Sequence, residues 1–118
     1  MTVDDDRWLD RPGARLRWRD GGQGPTLLLL HGWALDLTLF EPFVAAARTS
    51  LRLVRFDRRG YGRSSGEPAL PTDVEDAFAT LDAASVARVV FLVWLEVFSA
   101  ATTGCAESCT GTASAITP

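Results

Sequence analysis

The residues best suited to chemistry lie in two glycine-containing segments, His31-Gly32-Trp33 and Asp57–Ser64. The first holds the single histidine of the sequence and directly follows a run of four leucines. Ligands bind at the carboxyl ends of strands in open α/β sheets, so this segment is a candidate functional edge. The second segment contains Gly60 and Gly62, a spacing also found in loops that cradle phosphates.

The leucine run, Thr26–Leu30, must position the first segment. It shows no alternation of polar and apolar residues, which predicts a strand buried on both faces at the centre of a sheet. Alternation over residues 14–19 predicts a half-exposed edge strand, and residues 51–56 and 88–93 predict two more strands, the former less enclosed than the leucine strand.

Two helices are predicted between these strands, over residues 38–48 and 72–84. Each begins with a capping box, Thr38 with Glu41 and Thr72 with Glu75. In the second helix Val74, Phe78 and Leu81 recur at helical spacing and predict an apolar face. Strands that alternate with helices predict an α/β fold with parallel pairing and right-handed crossovers.

Composition and charge exclude several function classes. The 118 residues suggest one domain, and a net charge of −3 does not favour nucleic acid as a partner. The acidic N-terminus lacks the apolar core of a signal peptide, and no apolar run is long enough to span a membrane. We therefore expect a cytoplasmic protein with no membrane partner. Cys105 and Cys109 form a poor zinc site, so neither a metal nor a cofactor is expected.

One interpretation of Asp57–Ser64 is a dinucleotide-binding fingerprint, because Gly60 and Gly62 follow a predicted strand. That fingerprint requires a third glycine and an immediate helix. Ser65 occupies the third place, and Gly66-Glu67-Pro68 would block a helix, so the interpretation is disfavoured.

The other interpretation is a family resemblance. A buried strand into His31-Gly32-Trp33, a helix, and a strand into Asp57–Ser64 together resemble the front half of the α/β-hydrolase superfamily, over residues 14–93. The chain is most similar to the carboxylesterase, lactonase and haloperoxidase-like branch, which includes esterases that release pimeloyl groups from a carrier protein. The resemblance implies an intact parent that hydrolyses an ester or related acyl bond of a small molecule.

The resemblance also implies roles for individual residues. The backbone N–H of Trp33 would help to form the oxyanion hole. His31 would brace the loop and would not act as the catalytic base. The other residues expected to structure the two loops are Gly32, Asp57, Arg59, Gly60, Gly62 and Ser64.

The sequence departs from the family where the nucleophile elbow, G-x-S-x-G, is due. By register the elbow would be residues 94–98, where Trp94 and Phe98 replace the glycines and Glu96 occupies the nucleophile position. Large flanking side chains are incompatible with the strained turn, so Glu96 is not expected to act. Glu107 is the one acidic residue after position 98 and no histidine follows, so no catalytic triad can be assembled.

These observations predict a partial α/β-hydrolase domain over residues 1–98, truncated before the elbow, and a small-residue tail over 99–118 in loop or disorder. The abrupt change at Trp94 suggests a frameshift or a chimeric gene. If neither other frame beyond codon 93 encodes G-x-S-x-G, the frameshift is excluded. The alternative function is a non-catalytic interaction module. It would pair, or self-associate, through an exposed apolar last strand over residues 89–93.

Overall fold

A computed structural model describes residues 4–32, 35–95 and 112–116. They form a single six-stranded sheet with the spatial order β1-β2-β4-β3-β5-β6. The strands are β1 (Arg7–Arg11), β2 (Ala14–Gly22), β3 (Thr26–His31), β4 (Arg52–Phe56), β5 (Val89–Leu95) and β6 (Thr112–Ile116). Strand β3 pairs in parallel with β4 and β5, and the remaining pairs are antiparallel. The prediction of an α/β fold is confirmed.

Strand β3 lies inside the sheet between β4 and β5, as its leucine run predicts. All six of its residues are buried, and none of its four leucines is more than 7% exposed. Burying such side chains contributes roughly 1.5–3 kcal/mol each. The strand that carries His31 at its end is therefore held firmly in the core.

Side chains alternate between two apolar layers, one on each face of the sheet. Helix α2 (Leu70–Ala83) covers the face that contains Leu28 and Leu30. Helix α1 (Glu41–Ala47) covers the opposite face, which contains Leu27 and Leu29. Both layers include residues of β3 and β4, so these two strands are enclosed on both sides. The predicted difference in enclosure is present but small, because four of the five residues of β4 are buried, compared with all six of β3.

The prediction for strand β2 is wrong. This strand is not a half-exposed edge strand, because β1 covers one side of it and β4 the other. Its polar positions Arg17 and Arg19 are buried with its apolar ones, since acidic partners neutralise them. Strand β1 is absent from the sequence-based prediction, because three of its five residues are charged and its two apolar residues, Trp8 and Leu9, are adjacent and do not alternate with polar ones.

The helix starts also differ from prediction. A 3-10 turn, Leu37–Phe40, precedes α1, and its cap is Asp36, which accepts a hydrogen bond from the Thr38 N–H. Helix α2 begins at Leu70 with Pro71 in its first turn, before the predicted capping box at Thr72. The α-helix α1 therefore begins at Glu41, later than predicted, whereas α2 begins earlier than predicted.

The apolar face predicted for α2 is wrong at two of its three positions. Val74 is 58% exposed and Phe78 is 36% exposed, whereas Leu81 is buried. Asp73 and Asp76 face the protein interior instead. Buried ion pairs with the loop after β4 therefore set the rotation of this helix in place of its apolar pattern.

Strand β5 has a partner on each side, so it is not the exposed edge that the sequence predicts. Val89, Leu92, Val93 and Trp94 pair with β6, which lies in the segment expected to be loop or disorder. The proposed self-association through an unpaired β5 thus loses its structural basis. The rest of the 99–118 tail lies outside the described residues. No helix within residues 4–32 and 35–95 is long and apolar enough to cross a membrane.

Candidate functional site

The predicted site residues come together at the carboxyl ends of β3 and β4. His31 is the last residue of β3, and the Asp57–Ser64 loop begins directly after β4. Because β3 and β4 are parallel neighbours, both ends lie at the same edge of the sheet. We call this edge the strand-end site.

His31 is buried at this edge, and both of its ring nitrogens have partners. The Arg58 N–H donates to Nε2 at 2.8 Å, which places the ring proton on Nδ1, 2.8 Å from the Gly32 carbonyl oxygen. Burial, reinforced by the nearby charge of Arg58, lowers the pKa of His31 below its ordinary value. A neutral imidazole with both nitrogens engaged is not free to accept a proton from a nucleophile.

Asp57 joins the loops of the strand-end site. It is fully buried, and its carboxylate accepts hydrogen bonds from the Leu37 N–H, the Arg63 N–H and Arg17 Nε, each at 2.8 Å. One side chain therefore fixes the segment after β3, the loop after β4 and strand β2.

Ser64 closes the same loop onto β2. Its hydroxyl donates to the Asp57 carbonyl at 2.7 Å and accepts from the Arg17 N–H at 2.9 Å. The Asp57 N–H in turn donates to the Arg17 carbonyl at 2.9 Å. The loop thus continues the hydrogen bonding of β2 beyond the end of β4.

Arg59 ties the loop to helix α2. Its guanidinium makes two hydrogen bonds to the fully buried Asp76, at 2.7 and 2.9 Å, and a third to the Pro12 carbonyl at 3.1 Å. Arg11 also donates to Asp76, at 3.0 Å. A two-pronged arginine–carboxylate pair gives both strength and a defined orientation.

Two features require glycine at positions 60 and 62, the positive backbone φ angle and the lack of room for a Cβ atom. The φ angles of Gly60 and Gly62 are +83° and +55°, in the left-handed region that favours glycine. A Cβ on Gly62 would lie 2.3 Å from an Asp57 carboxylate oxygen, and one on Gly60 would lie 2.6 Å from the Pro68 ring. This loop opens no helix directly, since α2 begins only at Leu70, which disfavours dinucleotide binding.

An open cleft of about 390 Å³ borders the strand-end site. It is lined by Leu35, Asp36, Thr38, Leu39, Tyr61 and Gly62. Burial acts to raise the pKa of Asp36, but hydrogen bonds from the Thr38 side chain and N–H outweigh it and lower that pKa. The cleft therefore has apolar walls and one ionised carboxylate.

The remaining predicted residues lie outside the described part of the chain. These are Trp33, Glu96, Cys105 and Cys109. Among the described residues, no group of three or more histidine, cysteine or acidic side chains could hold a metal ion.

Sequence reasoning missed Arg58, Asp73 and Asp76. Arg58 contacts both the ring and the carbonyl of His31, and the two aspartates anchor the arginines of the loop. A weak signal is present in the sequence, because two acidic residues in the first half of a predicted helix follow the adjacent arginines at separations of 15 and 17 residues. Their pairing depends on the tertiary fold.

Comparison with known proteins matches residues 25–95, more than half of the chain, to the alpha/beta hydrolase fold family. A pimeloyl-[acyl-carrier protein] methyl ester esterase from Pectobacterium carotovorum is 35% identical over 69% of this chain, and one from Vibrio atlanticus is 33% identical over 67%. These alignments span only 31% and 30% of the relatives' own lengths.

Solved structures agree with this assignment. An epoxide hydrolase from Vigna radiata superposes with a TM-score of 0.67 and 26% identity, covering 80% of this chain and 31% of that one. The chain belongs to the α/β-hydrolase fold family.

Proposed function

We propose that this chain forms the oxyanion side of a hydrolase site for an ester or related acyl bond, with the Trp33 N–H as a donor. The family match and the esterase relatives support the reaction class. The observation that carries the proposal is the hydrogen bond between His31 Nδ1 and the Gly32 carbonyl, which holds the peptide group before Trp33.

The physical argument concerns the direction of that peptide group. In a planar trans peptide the C=O and the following N–H point in opposite directions. We therefore propose that the N–H donor that follows the fixed Gly32 carbonyl points away from the His31 ring. A donor fixed in advance can stabilise an oxyanion transition state by roughly 3–4 kcal/mol.

We further propose that the 118-residue chain does not hydrolyse esters on its own. Its single histidine is engaged through both ring nitrogens, and the nucleophile position by register is Glu96 between bulky neighbours. An oxyanion donor without a nucleophile and a base retains only a small part of the catalytic effect.

The first test is an assay of the purified chain with a p-nitrophenyl ester. We expect turnover no greater than that of a variant lacking residues 32–34. Turnover well above this control would contradict the proposed inactivity.

The second test joins residues 1–93 to the corresponding remainder of the Pectobacterium carotovorum esterase and assays acyl methyl esters. Trp33→Pro removes the backbone donor, whereas Trp33→Ala keeps it and serves as the matched control. We expect kcat to fall about 10²–10³-fold further in Trp33→Pro than in Trp33→Ala. Equal kcat values would show that this N–H is not an oxyanion donor.

A further inference from the structure

We propose that Arg58 and Asp73 are a positioning pair for the loop that follows β3. In this arrangement Asp73 of α2 accepts a hydrogen bond from the Arg58 guanidinium and orients it. The oriented guanidinium donates to the carbonyl of His31, the last residue of β3 before the loop. The importance of that loop rests on the proposed function. The resemblance assigns no role to either residue, since Arg58 lies between the motif positions Asp57 and Arg59.

Arg58 contacts His31 through two different groups. Its Nη1 donates to the His31 carbonyl at 3.1 Å, and its backbone N–H donates to the His31 ring at 2.8 Å. The same guanidinium donates through Nε to an Asp73 carboxylate oxygen at 2.8 Å. Arg58 is 6% exposed and Asp73 is 2% exposed, so water does not compete effectively for these contacts.

These contacts form a continuous series from helix α2 to the loop. Arg58 Nε donates to the Asp73 carboxylate, and the Arg58 Nη1 and backbone N–H donate to the carbonyl and ring of His31. His31 Nδ1 in turn donates to the Gly32 carbonyl. Each of the two peptide groups that leave β3 is therefore fixed at its oxygen. A shift of the guanidinium would release the His31 carbonyl and change the direction of the following peptide.

Packing around the guanidinium also favours a planar arginine at this position. Its central carbon lies 5.0 Å from the centre of the Tyr61 ring, and the Tyr61 ring meets the His31 ring edge-on at 5.5 Å. Lysine carries its charge at one point and cannot both stack on a ring and reach two oxygens with fixed geometry. Arg58→Lys therefore keeps the charge but should lose the positioning.

Hydrogen exchange and NMR on the 118-residue chain test the pair with Arg58→Lys and Asp73→Asn. Arg52→Lys and Asp20→Asn are the controls, because Arg52 likewise joins a carboxylate, Asp20, to a backbone carbonyl, Ala84, but lies at the opposite end of β4. Global stability is measured by urea unfolding in every variant.

We expect the amides of residues 32–35 to exchange about tenfold faster or more in Arg58→Lys and Asp73→Asn, after correction for global stability. The ¹⁵N chemical shifts of the His31 ring should also change, because the His31 carbonyl loses its fixed hydrogen bond from the guanidinium. The Nδ1–H tautomer itself should persist, since the backbone N–H of residue 58 is retained. Neither change should occur in the controls. Exchange and ring spectra equal to those of the controls would overturn the proposal.

The parent chain supplies a measurement that does not depend on the folding of any variant. A ¹⁵N–¹⁵N coupling across the hydrogen bond from the Arg58 amide to His31 Nε2 is expected, and its absence overturns the proposal. These readouts need no substrate. If Arg58→Lys changes exchange in the loop but Trp33→Pro lowers kcat no further than Trp33→Ala, the proposed function alone is refuted. If Trp33→Pro lowers kcat further but Arg58→Lys leaves exchange in the loop unchanged, the positioning pair alone is refuted.

Discussion

Arg19 of β2 and Arg55 of β4 lie directly opposite each other in the antiparallel ladder, and Glu41 of α1 bridges them. Like charges at opposite positions destabilise a sheet. One Glu41 oxygen accepts hydrogen bonds from Arg19 at 3.1 Å and from Arg55 at 3.0 Å. Asp6 and Asp4 complete the neutralisation of these two buried arginines, at 2.6 and 3.0 Å. Glu41 is therefore the shared counterion of the cluster.

The first prediction concerns this shared counterion. Glu41→Gln should lower the free energy of unfolding by about 3 kcal/mol, because it leaves two buried guanidiniums without their common carboxylate. Urea unfolding measures the loss. Glu75→Gln on the exposed side of α2 is the control and should change stability by no more than about 0.5 kcal/mol. A loss of similar size in both variants would show that the bridge contributes little.

Burial of charge explains where sequence reasoning failed. The four leucines of β3 identify a central strand because their environment follows from their own chemistry. The alternation of Arg17 and Arg19 in β2 predicts exposure, and only partners distant in sequence, Asp57 and Asp6, make burial possible. Local patterns contain no information about such partners.

At the strand-end site, too, the sequence predicts the local features but not their partners that are distant in sequence. Motifs within short segments of sequence identify His31 and the two glycines, Gly60 and Gly62. The network that orders them depends on Asp73 and Asp76, which reach the loop only because α2 packs with these carboxylates facing inward. The positions of the loops could be predicted, but their long-range hydrogen-bond partners could not.

A second prediction separates steric conflict from backbone conformation at the glycines. Gly62 and Gly13 both have positive φ, +55° and +79°, but a Cβ on Gly13 would come no closer than 3.7 Å to any non-neighbouring atom. Gly13→Ala should cost about 1 kcal/mol for its left-handed conformation. Gly62→Ala should cost at least about 1 kcal/mol more, because its Cβ would overlap the Asp57 carboxylate. Equal losses in urea unfolding would contradict the overlap.

A third prediction tests the rotation of α2. Leu81 is 1% exposed, so Leu81→Ala should destabilise the protein by about 2–5 kcal/mol. Val74→Ala should change stability by less than about 0.5 kcal/mol, since the valine is largely exposed. The original apolar pattern predicts substantial losses at both positions. A large loss of stability for Val74→Ala in thermal or urea unfolding would therefore support the predicted apolar face of α2 and contradict the observed rotation.

The pH dependence of stability should identify His31, because it is the single histidine in the sequence. Its pKa in the folded protein is lowered from the ordinary value of 6.5, so the unfolded chain binds a proton more readily. The corresponding stability is present above about pH 6.5 and is lost as the pH falls towards the folded pKa. We expect the urea concentration at the unfolding midpoint to decrease as the pH is lowered from about 7 to about 5.5 in the parent chain. His31→Gln should be less stable throughout, because it loses the contact to the Gly32 carbonyl, but its midpoint should be nearly constant over this range. An equally steep fall in His31→Gln would assign the pH dependence to another group.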